Sequence, residues 1–316
     1  MTFKSNWEKA DQNHHISSET IHNMVKLALP SKKLLKNEII SGGCANLNIK
    51  IILDNGQIFI LRVYLRDRAS AYREQKLAEL IKKNIPIPQI YFIGEYKEQI
   101  FAIVEYINGI TLREFILNNP NEDIKQVMFE AGKILNKTRQ YKFANAGFFD
   151  QDLQVIPSSE SYLKFTKKNL QHPNIPSNFK IQIGNYLKQY GDFFPKENER
   201  NLVHADYDPA NILVDEINGI WKITAILDWE FAFSGSTLCD VANMLRYAHQ
   251  MPKIFTEAFL TGLSDLPKDW ELSINLLNLF SLLDCLARCD IDKRPNQYQD
   301  ICQLIEYILN DRNSSL

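Results

Sequence analysis

The chain has 316 residues, 45% hydrophobic and 23% charged, a length that fits two lobes or domains better than one small core. Its formal net charge is -2, from 36 Lys+Arg against 38 Asp+Glu, so it lacks the basic surplus of a nucleic-acid partner. Five cysteines (Cys44, Cys239, Cys285, Cys289, Cys302) are odd in number and lack CxxC spacing, which argues against a disulfide framework or a zinc site.

Residues 1–35 are polar and weakly helical, an N-terminal extension to which no chemistry is assigned. Its first residues, MTFKSNWEKADQNHH, lack the apolar core of a signal peptide, and a cytoplasmic location is expected. Next, Asn48–Leu53 and Gln57–Tyr64 are β-rich runs flanking Asp54-Asn55-Gly56, and Asn-Gly supplies the positive φ of a tight hairpin. A helix is predicted over 69–84, ended by Pro86 and Pro88, followed by strands at 89–93 and 99–107. Asn108-Gly109 breaks the pattern, so a small α+β lobe is placed at 36–107 and a larger lobe at 108–316. Thr111 and Glu114 have capping-box spacing at a helix start. Helices are expected over 121–140, 159–171 and 177–192, short strands near 201–204, 212–215 and 220–227, and mainly helix from Leu238 to Asn310. Within that last part Leu276–Ala287 is the most apolar stretch. It is broken by Asp284, is too short to span a bilayer and is expected to be a buried helix, with no membrane partner.

The densest chemistry lies in Leu202-Val-His-Ala-Asp-Tyr-Asp-Pro-Ala-Asn-Ile-Leu-Val-Asp215. His204-x-Asp206-x-x-x-x-Asn211 has the spacing of a protein-kinase catalytic loop, bracketed by two apolar β-type runs. Downstream, Ala225-Ile-Leu-Asp-Trp229 is a second apolar run that delivers one carboxylate, Asp228, at its end. Each of these residues alone would pass for a turn former or a strand cap. Together they suit phosphoryl transfer, which depends on positioning and charge neutralisation. Magnesium needs only one or two protein oxygens, here those of Asn211 and Asp228. Asp206 is then free to orient an acceptor hydroxyl and take its proton, while His204 holds the loop.

The segments HADYDPANILVD and AILDWEFAFSG resemble the aminoglycoside phosphotransferase and choline kinase superfamily, and the likeness covers most of the chain. It implies an α+β, bilobal, protein-kinase-like fold, with a small antiparallel-sheet lobe carrying one helix and a larger, mainly helical lobe. It also implies nucleotide-phosphate contacts from Arg62 on a strand, paired with Glu74 on the next helix, with Arg66 and Arg73 as nearby competitors. Protein kinases carry lysine at the strand position, so Arg62 is a departure from them, though some relatives also carry arginine. The loop Ser41-Gly42-Gly43-Cys44-Ala45-Asn46 stands where the phosphates would be covered, through Gly43 and Asn46, and Glu105-Tyr106-Ile107 where the nucleobase would bind, at Glu105 and Ile107. Asp240 resembles a structural aspartate of the family and is expected to be a buried loop anchor. Asp208 and Glu230 either enlarge a negative acceptor site or cap their loops, and Asp284, Asp290 and Asp292 line the acceptor pocket or a solvated helix face.

The resemblance therefore implies a kinase that moves the γ-phosphate of ATP or GTP, with Mg2+, to a small-molecule hydroxyl acceptor, in a monomer or homodimer. An aminoglycoside is the expected acceptor. A metabolic amino-alcohol or sugar, such as choline or homoserine, would use the same residues, and a catalytically silent kinase-like binding protein is the reading from another class.

Overall fold

The computed structural model describes residues 3–8, 16–40, 46–119, 124–157 and 160–310. After helix α1 (Ser18–Ala28) the chain forms β1 (Leu34–Ile40), β2 (Asn46–Leu53), β3 (Ile58–Tyr64), α2 (Ser70–Ile81), β4 (Ile90–Tyr96) and β5 (Gln99–Glu105). The five strands make one antiparallel sheet in the order β1-β2-β3-β5-β4. Gly56, at φ 81°, turns β2 into β3 in a region that residues with a Cβ disfavour. Strand alternation sends Ile49, Ile51, Leu61, Val63 and Phe101 to one face, which α1 covers with Ile21, Met24 and Val25. Arg62, between Leu61 and Val63, must therefore face the opposite side, toward Tyr64 and α2.

Residues 1–35, expected to be weakly helical, hold helix α1, but the sequence gives no sign of where they pack. Helix α1 belongs to the small-lobe core, whereas Phe3 is buried in the core of the other lobe. Strand β1 is also unforeseen, because it is an edge strand that alternates poorly and leaves Leu35, Ile39 and Ile40 exposed.

The larger lobe runs through β6 (Ile110–Thr111), α3 (Leu112–Asn118), α4 (Lys125–Thr138), β7 (Gly147–Phe149), β8 (Val155–Pro157), α5 (Tyr162–Asn169) and α6 (Ser177–Tyr190). It continues with β9 (Asn201–Val203), β10 (Ile212–Ile217), β11 (Ile220–Ile226), β12 (Phe233–Gly235), α7 (Leu238–Leu245), α8 (Lys253–Gly262), α9 (Trp270–Ala287) and α10 (Pro295–Asn310). The capping box opens α3 as its spacing predicts, with Thr111 and Glu114 each satisfying the other's backbone amide. Two small sheets, β11-β10-β6 and β8-β7-β12-β9, carry the polar loops. By length and composition α9 would span a membrane, but Ile274, Leu276, Leu277, Leu279, Leu282, Leu283 and Leu286 are buried in the protein core.

Helices α4 and α8 meet where Gly132 faces Gly262. A Cβ on Gly132 would lie 2.1 Å from the Phe259 carbonyl oxygen, and neither backbone can move without repacking both helices. Gly132→Ala is therefore expected to lower stability by about 2 kcal/mol in urea unfolding. Gly184→Ala, in α6 where a Cβ meets open space, should instead raise it slightly, since alanine is the better helix former.

Candidate active site

The loop between β9 and β10 is held from three sides. His204 is fully buried, its Nδ1 accepts the Asp206 backbone N–H at 3.2 Å, and its Nε2 lies 2.8 Å from the Leu227 carbonyl. With Nδ1 an acceptor, the proton sits on Nε2 and is donated to Leu227. Burial holds the His204 pKa below the ordinary histidine value, so the ring is a neutral strut joining the loop to the strand end that carries Asp228.

Ala205 adopts φ 73°, a left-handed conformation that an alanine takes only when its surroundings impose it. Asp240 on α7 imposes it. Its fully buried carboxylate accepts the His204 N–H at 2.8 Å and the Ala205 N–H at 2.9 Å, while Asn243 Nδ2 donates to the Ala205 carbonyl at 2.7 Å. Burial pushes the Asp240 carboxyl up to about 7, and the two amide donors work against that. Asp240→Ala would strand both amides in the core. It is expected to cost about 3 kcal/mol in denaturant unfolding, whereas Ala205→Gly should leave stability equal or higher because glycine relieves the left-handed strain.

Asn211 closes the loop. Its Nδ2 donates to the Asp206 carboxylate at 2.8 Å and to the Asp206 carbonyl at 2.9 Å, which aims the carboxylate and leaves the Asn211 side-chain oxygen for other partners. The Asp206 side chain stays 35% exposed, so a ligand can reach it. The Leu227 N–H donates to the Asn211 carbonyl at 2.8 Å, and Asp228 follows with φ 65°, a left-handed corner that turns its side chain out of the strand.

From the small lobe Arg62 meets this corner. Its Nη2 lies 2.6 Å from Asp228 Oδ1 and 3.2 Å from Glu74 Oε1, and Glu74 also accepts the Tyr64 hydroxyl at 3.0 Å. Burial opposes the Arg62 charge, but Glu74 and Asp228 together keep it firmly protonated. Burial raises the Glu74 pKa, and Arg62 opposes that rise. The Arg62 Nε is buried without a hydrogen-bond partner. Asn46, at the start of β2, donates to Glu230 at 2.9 Å across the lobes, and Glu230 is pushed up to about 7 by burial and by Asp228.

Of the remaining predicted positions, Asp208 lies in the same loop as Asp206, and the others lie outside it. Gly43 falls within 41–45, outside the described residues. Glu105 accepts the Gln89 N–H at 3.0 Å, and Ile107 lies on the connector between β5 and β6. Asp208 caps the turn at Pro209–Asn211 through the Ala210 N–H at 2.8 Å. Asp284 is paired with Arg288 one turn along α9, and Asp290 and Asp292 are exposed. Arg66 is exposed too. Arg73 bridges α2 to the carbonyls of Phe149 and Glu230 at 3.3 and 3.0 Å, a tie between elements.

Two cations at the loop were not foreseen. Lys4 hydrogen-bonds to Asp208 and lies 3.5 Å from Asp206 Oδ1. Arg246, one turn beyond Asn243, donates to Asn243, Asn278 and Ser281 at 2.6 to 2.9 Å. No periodicity or motif flags a lysine in a polar N-terminal stretch.

The site's chemistry fits the nucleotide and magnesium that the resemblance implies. Among the described residues no three His, Cys, Asp or Glu side chains gather as a metal cluster. Magnesium asks less of a protein, since one or two oxygens serve it alongside phosphates, and Asn211 and Asp228 offer those. The unpartnered Arg62 Nε is a donor suited to a phosphate oxygen.

A two-lobed α+β molecule with this loop facing an Arg–Glu pair across the lobes has the protein-kinase-like fold of small-molecule phosphotransferases. The chain belongs to the phosphotransferase enzyme family, whose profile matches residues 36–271. It is 26% identical over 206 residues to the hygromycin-B 4-O-kinase of Escherichia coli, covering 60% of this chain and 56% of that one. An uncharacterised protein from Staphylococcus aureus, encoded in the ileS 3' region, is 34% identical over 82 residues, covering 26% of this chain and 63% of its own. The matches thus span about half to two thirds of these relatives. Among solved structures, a thermostable mutant of aminoglycoside phosphotransferase APH(4)-Ia in ternary complex with ADP and hygromycin B superposes with a TM-score of 0.70 at 18% identity. That superposition covers 94% of this chain and all of the other. The GDP and kanamycin complex of APH(2")-IIIa superposes with a TM-score of 0.69 at 15% identity, covering 92% of this chain and 98% of that one.

Proposed function

We propose that this protein is a small-molecule kinase that transfers the γ-phosphate of ATP or GTP to a hydroxyl of an aminoglycoside-type acceptor. The observation that carries the reading is the aimed, partly exposed Asp206 carboxylate, held by Asn211 and by the His204 strut, beside a second strand-end carboxylate at Asp228. In this reading Asp206 orients the acceptor hydroxyl and takes its proton late in an in-line transfer, with no phosphoenzyme. Asn211 and Asp228 hold magnesium, which when bound neutralises charge on the nucleotide phosphates. Arg62, steadied by Glu74, donates to phosphate oxygens, and Asn46 belongs to the phosphate-covering side. Glu105 and Ile107 flank the connector for the nucleobase. The names of its relatives support the acceptor class, since one is a hygromycin-B kinase and two solved neighbours hold a nucleotide with hygromycin B or kanamycin.

A coupled assay of nucleoside-diphosphate release, with magnesium and either ATP or GTP, tests this across aminoglycosides, choline, homoserine and simple sugars. Release stimulated by an aminoglycoside is the expected result. Stimulation only by an amino-alcohol or sugar would move the acceptor, and stimulation by none would overturn the acceptor assignment.

A further inference from the structure

One side of the loop that carries Asp206 and Asp208 is covered by residues 3–8 of the same chain. Phe3 packs against Tyr247 and Phe255 with ring centroids 5.3 and 6.2 Å apart, and Arg113 donates to its carbonyl at 3.3 Å. Trp7 Nε1 donates to the buried Asp300 at 2.7 Å, and the Glu8 carboxylate accepts the Asn296 and Gln297 amides at 2.8 and 3.1 Å, capping α10. Between these anchors Lys4 reaches inward to Asp208 and Asp206. Phe3 and Lys4 line, together with Asp208, Ala210, Asn243 and Tyr247, a crevice too narrow for a water molecule.

Two features bear on how this segment is held. Phe3 and Lys4 are consecutive left-handed residues at φ 41° and 62°, a conformation that residues with a Cβ disfavour. The contacts hold that strain, and undocking releases it. The second feature is chemical. Burial works against the Lys4 ammonium, yet Asp206 and Asp208 outweigh it and hold its pKa above the ordinary lysine value. Undocking therefore leaves two carboxylates without their cation unless another arrives.

We propose that residues 3–8 form an intramolecular pseudo-acceptor, in which the Lys4 ammonium takes the place on Asp206 and Asp208 that an ammonium group of the acceptor takes during turnover. An ammonium-bearing acceptor exchanges cation for cation, so its entry is nearly balanced. A neutral polyol cannot repair the vacated pair and is excluded. Lys4 is thereby a specificity-determining residue that enforces cationic acceptors. The identity of that acceptor rests on the function proposed above, whereas the docked lysine does not.

Calorimetry on the full chain separates the two, with hygromycin B and the polyamine spermidine as probes of wild type, Lys4→Ala, Lys4→Arg and Trp7→Ala. A segment docked nine-tenths of the time weakens the apparent affinity about tenfold. Lys4→Ala should recover that factor for both probes, Trp7→Ala should recover part of it by loosening the anchor, and Lys4→Arg should bind as wild type does. Thermal melts confirm that each variant is folded, and Trp7→Ala carries the test should Lys4→Ala fail to fold. Tightening for spermidine with no hygromycin B binding upholds the pseudo-acceptor and removes the aminoglycoside reading. Unchanged or weaker binding of both probes to the folded variants overturns the proposal.

Discussion

Asp206→Asn is expected to lower phosphoryl transfer by roughly 10²–10⁴-fold, the range typical of losing a positioned general base. The substitution keeps the shape of the side chain and one oxygen for the Asn211 Nδ2 bond now made at 2.8 Å. On the proposed role of Asp206, what it removes is the ability to take the hydroxyl proton and the negative charge that orients the acceptor. The loop should keep its conformation, because that is set by Asp240 on the His204 and Ala205 amides and by the His204 ring on Leu227. Turnover and melting temperature should thus separate, with activity lost and the melt nearly unchanged. Near-wild-type turnover in Asp206→Asn would remove the assignment.

Asp228→Asn should act on a different step. Asparagine tolerates the left-handed φ of 65° at this position, so the corner survives. The carboxylate charge does not, and with it goes the stronger of the two oxygens offered to magnesium. Losing such a ligand is expected to weaken magnesium-dependent nucleotide affinity by at least about 10–100-fold, while affinity in the presence of a chelator changes little. Asp206→Asn should leave that magnesium dependence in place. Calorimetry with and without chelator distinguishes them, and the reverse order would exchange the two roles. The ion pair at 2.6 Å between Arg62 and Asp228 adds a competition, since under the proposed role the guanidinium would share this carboxylate with magnesium. That contest has a chemical outlet. The Arg62 Nε is unsatisfied and Glu74 remains beside it, so Arg62 can turn to phosphate without losing its counter-charge.

Both experiments rest on a loop whose residues the spacing alone singled out. His204, Asp206 and Asn211 lie within eight consecutive positions between two apolar runs, so covalent geometry and strand alternation bring them together at a strand mouth. The Thr111–Glu114 cap and the hairpin at Asn55-Gly56 were legible for the same reason, being decided by neighbours a few bonds away. Asp228 was legible as the end of an apolar strand. The pairing of Arg62 with Glu74 came only through the family resemblance, because the spacing between a strand and the following helix does not say which side chains meet.

The polar surroundings of the loop belong to the other category. Asp208 and Lys4 are 204 positions apart, and Asn46 and Glu230 are 184 apart. Asp284 is different, because its partner Arg288 lies one helical turn away and that pairing is local. By itself the sequence determined the hairpin, the cap, most of the helices and the spacing of the loop residues, because burial periodicity and turn chemistry act over a few residues. Tertiary structure alone decided which distant charges meet, that Lys4 sits against Asp206 and Asp208, and that Asp240 holds Ala205 in its strained turn. Ion pairs form wherever docking of the apolar faces leaves opposite charges facing each other, and no local pattern records that outcome.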